Sequence, residues 1–289
     1  MSAAAVSTNP VLCLGEALVD MVGERPVRSL REVGRFAPHF GGTVANVAVV
    51  AARAGAPIAL AGGAGADEWG HWLQRRLVAE GVDTSRFTLV PDAQTQLAFV
   101  AVDADGEPSY ELYTDATPSL VHALGAGVER AVAPAGGLLI GSNTLAAEPE
   151  RALTMRAREH ALALGRPVVF DCNLRLHRWS SRADAAASAN ACVPGALLVR
   201  ANRAEAELMT GERDPERAAV ALRKAGARLV AITLGADGAI LRGAASADVA
   251  AGPAQVRNTA GAGDAFTGTL LARLALSGFA PAAAAEAMG

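Results

Sequence analysis

The chain has 289 residues, of which 51% are apolar and only 4% aromatic, and 26 basic against 29 acidic residues give a formal charge of −3. That length and apolar content supply the core of one large domain or two small ones and exclude wholesale disorder. The balanced charge and scarce aromatics leave no electrostatic or stacking case for nucleic acid, nor any for an anionic membrane surface, so small-molecule partners are expected.

Residues 1–10 carry no basic segment followed by an apolar run, so they are expected to be a flexible terminus rather than a secretory signal. Residues 44–60 are apolar but broken by Asn46, Arg53, Gly55 and Pro57, which argues against a membrane span. Cys13, Cys172 and Cys192 are odd in number and unpaired in spacing, as for reduced thiols in a cytoplasmic protein. Cys172, between Asp171 and Asn173, is a further candidate to line a site.

In chain order, the apolar run at 11–15 predicts a buried strand with Asp20 following it. A mixed stretch with Pro26, Gly34 and Pro38 predicts short strands outside the main sheet. Gly41-Gly42-Thr43-Val44-Ala45-Asn46 opens an Ala/Val-rich helix ending near Gly55; a strand at 58–61 and a helix at 69–80 follow. Segments 96–102 and 109–113 alternate in polarity, and Asp105-Gly106 between them signals a hairpin. From Gly136 onward, apolar strands at 138–140, 168–171, 197–200 and 229–233 alternate with helices at 148–164, 203–210 and 215–225. This alternation predicts an α/β fold: a parallel sheet covered by helices on both faces, in three layers. The hairpin does not fit inside that sheet, so it joins the segment near 22–40 as a small β lid.

Ligands of open α/β sheets sit at the carboxyl ends of the strands. Polar residues cluster where that rule wants them: Asp20; then Asp171, Asn173 and Arg175; then Asn202 and Glu205; then Thr233, Gly235 and Gly238. The most informative stretch is Thr259-Ala260-Gly261-Ala262-Gly263-Asp264-Ala265-Phe266, which runs into an apolar helix. Two glycines at a helix start let backbone N–H groups close on an anion. Asp264 in the same turn would not attract a phosphate, but it suits a base that takes a proton from an attacking hydroxyl. On these residues alone a plain glycine loop with a helix-capping Asp remains open as well.

The whole set resembles the PfkB (ribokinase-like) family of carbohydrate kinases over nearly the full chain. Gly41-Gly42-Thr43-Val44-Ala45-Asn46 is similar to the family's first signature, and Thr259 to Phe266 to its second. Between them stand Gly62-Gly63-Ala64-Gly65-Ala66-Asp67, Asp171-Cys172-Asn173-Leu174-Arg175, Asn202-x-x-Glu205 and Thr233-Leu234-Gly235-Ala236-Asp237-Gly238. The resemblance implies a ribokinase-like kinase domain over 11–289, with a lid from about 22–40 and 94–114 inserted in it. It implies Asp264 as catalytic base, Gly261, Ala262 and Gly263 as anion hole, and Arg175 as a cation beside the transferred phosphate. Asp20, Gly41, Gly42, Asn46, Asp171 and Asn173 would meet the sugar. Asn202, Thr233, Gly235 and Gly238 would line the ATP groove, with Glu205 and, through water, Asn202 organising Mg²⁺. Structural readings of the same residues are a turn for Asp20, a helix cap for Asn46, a helix start for Asn202 and Glu205, and a surface salt bridge for Arg175.

Two departures stand out. Asn258 and Ala260 replace the family's usual Asp and Thr, and Asn keeps an acceptor oxygen but no charge, which weakens the expectation of a monovalent cation. The chain also stops at Gly289, inside a helix expected near Pro281, where members typically run on past the adenine pocket. The segments at 97–107 and 171–179 are most similar to bacterial fructokinases. The stretch Tyr113-Thr114-Asp115-Ala116 lacks an arginine that would suit an acid sugar. Fructose is therefore the expected acceptor, ahead of 2-keto-3-deoxygluconate or a nucleoside. A non-catalytic sugar- or nucleotide-binding relative is the alternative of another class. The exposed strands of the lid suggest a homodimer.

Overall fold

The structure is a computed structural model that describes residues 9–113, 120–252 and 259–288. Thr114, Asp115, Ala116 and Asn258 lie outside the described residues. In chain order the strands and helices begin with β1 (Val11–Leu14), β2 (Leu18–Gly23), β3 (Phe36–Gly41), α1 (Thr43–Arg53), β4 (Ile58–Gly65), α2 (Glu68–Ala79) and β5 (Asp83–Val90). Next come β6 (Leu97–Val102), β7 (Pro108–Tyr113), α3 (Leu120–Leu124), α4 (Val128–Val132), β8 (Gly137–Gly141), α5 (Glu150–Ala163), β9 (Val168–Asp171) and α6 (Arg182–Ala191). The last are β10 (Leu198–Asn202), α7 (Arg203–Thr210), α8 (Pro215–Lys224), β11 (Leu229–Thr233), β12 (Ala239–Gly243), β13 (Ala247–Val249), α9 (Ala262–Leu276) and α10 (Pro281–Glu286).

Nine strands form the main sheet in the order β13-β12-β11-β10-β9-β8-β1-β4-β5. All neighbours pair in parallel except β11 with β12 and β12 with β13. The central strands are buried on both faces, which is why they read as unbroken apolar runs. From β1 the chain steps outward to β4 and β5, then crosses to the other side and proceeds through β8, β9, β10 and β11. The order therefore reverses between β1 and β8, the kind of switch point where open sheets bind ligands.

Helices cover both faces. Leu12, Leu14, Leu138, Ile140 and Phe170 pack on one side with α5 to α8, and Cys13, Leu60, Leu139 and Val169 on the other with α1 and α9. Gly268 lets α1 and α9 close up: a Cβ there would lie 2.6 Å from Val50 Cβ. That approach carries Asn46 of α1 to Asp264 of α9.

A second sheet of four strands runs in the order β3-β2-β6-β7. It begins at Leu18, so Asp20 lies in this sheet rather than in a turn after β1. The expected hairpin joins β6 to β7: Gly106 adopts φ +84°, and Asp103 Oδ1 accepts the N–H groups of Asp105 and Glu107. Its tip reaches the glycine loop, where the Thr259 N–H donates to Gly106 O at 3.1 Å. No helix among the described residues is long and apolar enough to cross a membrane.

Candidate active site

A cleft of about 610 Å³ opens at the carboxyl ends of the strands between the two sheets. Its wall includes Asp20, Gly42, Asn46, Arg175, Gly261 and Asp264. Six residues spread over more than 240 positions of sequence thus line one cleft.

Asp264 occupies the first turn of α9, behind Gly261 at φ +77°. It is buried, and its oxygens are fixed from two sides. Asn46 Nδ2 donates to Oδ2 at 2.9 Å and Asn173 Nδ2 to Oδ1 at 3.2 Å. Neither bond is one a capping aspartate would make to its own helix. Burial pushes the carboxyl up to about 6, with the Asn46 bond acting against the shift and the Asp171 charge adding to it. A carboxyl poised there can take a proton near neutral pH. Asn173 is itself held in the left-handed region, φ +31°, which asparagine tolerates, and it also donates to Thr43 Oγ1 at 2.9 Å.

Asp20 faces the same cleft. Burial, then repulsion from Asp264, raises it to about 6, with Arg175 pulling the other way. Gly41 is opposite the Asp20 carboxylate, which would collide with a Cβ, so the first glycine of the pair makes room for the acid. Gly42, at φ +94°, starts α1 against the Glu16 carbonyl. Sequence reasoning missed Glu16 itself. Its Oε1 accepts from the Thr43 N–H at 3.1 Å and from Asn143 Nδ2 at 2.8 Å, while Oε2 is buried and unpartnered at the cleft. An unpartnered buried oxygen asks for a donor such as a hydroxyl.

Asp171 lies elsewhere than expected. It is 1% exposed, with Oδ2 accepting from Thr267 Oγ1 at 2.9 Å and Oδ1 from Arg200 Nη1 at 3.3 Å. It is the last residue of β9 and does not line the cleft, while beyond the strand Arg175 does and Asn173 reaches Asp264. The same Arg200 donates to Thr233 Oγ1 at 2.9 Å and lies against Gly263, where a Cβ would be 2.8 Å from Nη2. A buried guanidinium thus sits behind the Gly261-to-Gly263 loop. The signal that could have found it is an arginine inside the apolar run of β10. Cys172 does not line the cleft: its thiol is buried against Met209, and burial raises it further from the thiolate.

Asn202 and Glu205 form a reciprocal capping box at the start of α7. Glu205 is buried, and its two oxygens accept from the N–H groups of Leu174 and Asn202, both at 2.8 Å. Burial raises its carboxyl. These oxygens suit a hard cation held through water better than a direct coordination cage. No cluster of three or more His, Cys, Asp or Glu able to hold a metal occurs among the described residues. Thr233 ends β11, and the turn beyond it needs glycine twice: Gly235 has φ +66°, and Gly238, at φ +93°, has no space for a Cβ beside the Val249 carbonyl. This leaves bare backbone at the strand ends beside Arg200.

A glycine-rich helix start, an adjacent buried carboxyl and a cleft at a switch point have the chemistry that phosphoryl transfer needs. Residues 8–287 match the family described as pfkB family carbohydrate kinase. The chain belongs to that family. This kinase is 34% identical to fructokinase-1 of Oryza sativa subsp. japonica over 270 residues, which covers 91% of this chain and 82% of the rice protein. Among solved structures, a PfkB protein from Polaromonas sp. JS666 superposes with a TM-score of 0.86 at 29% identity, covering 97% of this chain and 94% of that one. A double-mutant fructokinase of Vibrio cholerae O395, solved with fructose, ADP and potassium ion bound, superposes with a TM-score of 0.81 at 29% identity, covering 99% and 90%. The kinase is thus a phosphotransferase acting on a sugar, with a mostly parallel ribokinase-like sheet and a smaller second sheet.

Proposed function

We propose that this kinase transfers the γ-phosphoryl group of ATP to a primary hydroxyl of fructose. The observation that carries the reading is Asp264, buried beside the Gly261-to-Gly263 loop and clamped by Asn46 and Asn173 in the wall of the cleft. Fructose is favoured because the rice and Vibrio relatives are named fructokinases, and because Glu16 Oε2 and Asp20 offer acceptors to polyol hydroxyls. In this reading Asp264 takes the proton of the attacking hydroxyl as the new O–P bond forms. The bond from the γ-phosphorus to its bridging oxygen breaks, and ADP leaves with that oxygen. The Gly261 and Gly263 N–H groups and the start of α9 stabilise charge on the transferred group, while the Ala262 N–H is held by the Thr259 carbonyl at 3.3 Å. Arg175 reaches it from the cleft wall, and Arg200 adds positive potential from behind. The nucleotide lies along Thr233, Gly235 and Gly238. Mg²⁺, held through water by Asn202 and Glu205, would neutralise phosphate charge. The Vibrio structure motivates a test for potassium, although Asn258 lacks the charge such an ion favours.

One observation favours a second acceptor. Arg175, His177 and Arg178 all line the cleft and would suit the carboxylate of 2-keto-3-deoxygluconate. ADP release should therefore be measured with fructose, keto-deoxygluconate, ribose and adenosine, in wild type and in Asp264→Asn. Fructose should give the highest kcat/KM, and a higher value for the acid sugar would transfer the assignment to it. Equal rates in wild type and variant with every acceptor would remove Asp264 as base.

The small sheet acts in this proposal as a lid over the sugar, with Tyr110 and Leu112 on its cleft face, and the exposed Tyr113 on the other face of the edge strand β7 makes it a dimer surface. Sedimentation velocity of wild type and Tyr113→Glu checks this: a dimer that the variant splits is expected, and a monomeric wild type would end the proposal.

A further inference from the structure

The opposite end of the main sheet carries a second cleft, of about 420 Å³, at the amino ends of β8, β9, β10 and β11. Two arginines, Arg166 and Arg228, line it, and no acidic residue does. Neither guanidinium forms an ion pair or hydrogen bond among the described residues, and Arg166 Nε is buried without a partner. Arginines this close to one cavity normally find a carboxylate, since leaving them unpaired is costly. The backbone offers an incoming ligand little. The N–H groups of Gly136, Arg166, Gly195, Arg228 and Phe279 all donate to carbonyls of the protein. The free donors are therefore the two guanidiniums, whose forked geometry matches phosphate.

The rest of the wall is apolar: Leu162, Pro167, Leu197 and the Phe279 ring. Phe279 has φ +63°, a conformation costly for a bulky residue and one that usually persists where the surroundings demand it. That turn brings its ring over Gly137, where a Cβ would lie 2.5 Å from Cζ. The ring thus forms one side of the cleft, able to cover the C–H face of a sugar. A cavity of this size falls within the range of small-ligand sites.

We propose that this cleft binds a small phosphomonoester, its phosphate between Arg166 and Arg228 and its body against Phe279. The strands between the two clefts are four or five residues long at about 3.3 Å each, so the sites lie roughly 15 Å or more apart. A ligand here cannot compete sterically with the sugar or the nucleotide, and any effect on activity would be allosteric.

The test is calorimetric titration with inorganic phosphate in one arm and a hexose phosphate in the other, using enzyme whose catalytic cleft is filled with fructose and a non-hydrolysable ATP analogue. Binding in either arm is expected, weakened about tenfold or more by Arg166→Met and by Arg228→Met. Hexose phosphate binding more tightly than inorganic phosphate, with the advantage lost in Phe279→Ala, would support the role of the ring. Both arginines lie outside the catalytic machinery, so their variants should keep wild-type melting and basal turnover. Absence of binding in both arms, or binding that both arginine variants leave unchanged, overturns the proposal.

Discussion

Asp264 and Asp20 are both raised to about 6, chiefly by burial, but the consequences differ. Asp264 must be ionised to accept a proton, so kcat/KM should rise as pH increases through about 6 and then level. A rate profile from pH 4.5 to 8 would show it, and a flat profile would disqualify Asp264 as the titrating base. Asp264→Asn should lower kcat about 10²–10⁴-fold with little change in KM for fructose. Asp20 concerns stability. Its folded value lies above the ordinary carboxylate value of about 4, so the folded protein binds the extra proton between those limits. The stabilisation it contributes is present below about pH 4 and lost as pH rises through about 6. Asp20→Asn should therefore melt above wild type at pH 8, with the difference closing towards pH 4. The same variant should raise KM for fructose, because its acceptor faces the cleft. The glycine neighbours of Asp264 left a base and a helix-capping Asp both open, and only the resemblance chose between them. Asp171 was misplaced because nearness in sequence to Arg175 does not survive the end of a strand, where consecutive side chains diverge.

At the scale of elements, the ends of β9, β10 and β11 are tied by Arg200, which bonds Asp171 and Thr233 and underlies Gly263. Removing one member of a buried ion pair leaves the other charge uncompensated, at a cost of about 3–5 kcal/mol. Arg200→Met should therefore lower the denaturant midpoint markedly. It should also raise KM for ATP more than KM for fructose, since its charge lies on the phosphate side. Arg200→Lys, keeping the charge, should recover the nucleotide KM in part; equal losses for both substrates would reduce Arg200 to a structural tie. Such a tie was hard to read from sequence because it joins three separate strands. The parallel core strands were legible for the opposite reason: burial on both faces makes each an unbroken apolar run. The edge strand β5 escaped notice because its exposed Asp83, Ser85 and Thr88 break any apolar pattern. Helix α6 is alanine-rich with little polarity contrast and escaped notice too, although Ser181 caps it.

For the whole molecule, the contact between Gly106 and Thr259 links the small sheet to the catalytic loop. Gly106 is at the tip of the β6–β7 hairpin, and Thr259 stands three residues before Ala262, where α9 starts. If the small sheet closes over sugar, the hairpin tip and the anion-hole loop should become ordered together, excluding water as the base and phosphate come into register. Hydrogen exchange offers a direct reading. Adding fructose with an ATP analogue should protect the amides of β6, β7 and Thr259 jointly, while β8 to β11 stay at their already slow rates. The hairpin has a lever of its own, because Gly106 has φ +84° and Gly106→Ala would strain that turn by roughly 1 kcal/mol or more. The variant should lower kcat several-fold and increase sugar-independent ATP hydrolysis relative to sugar phosphorylation, since a poorly seated lid admits water. Unchanged coupling in Gly106→Ala, or protection of Thr259 without protection of the hairpin, would mean that the small sheet and the catalytic loop move independently.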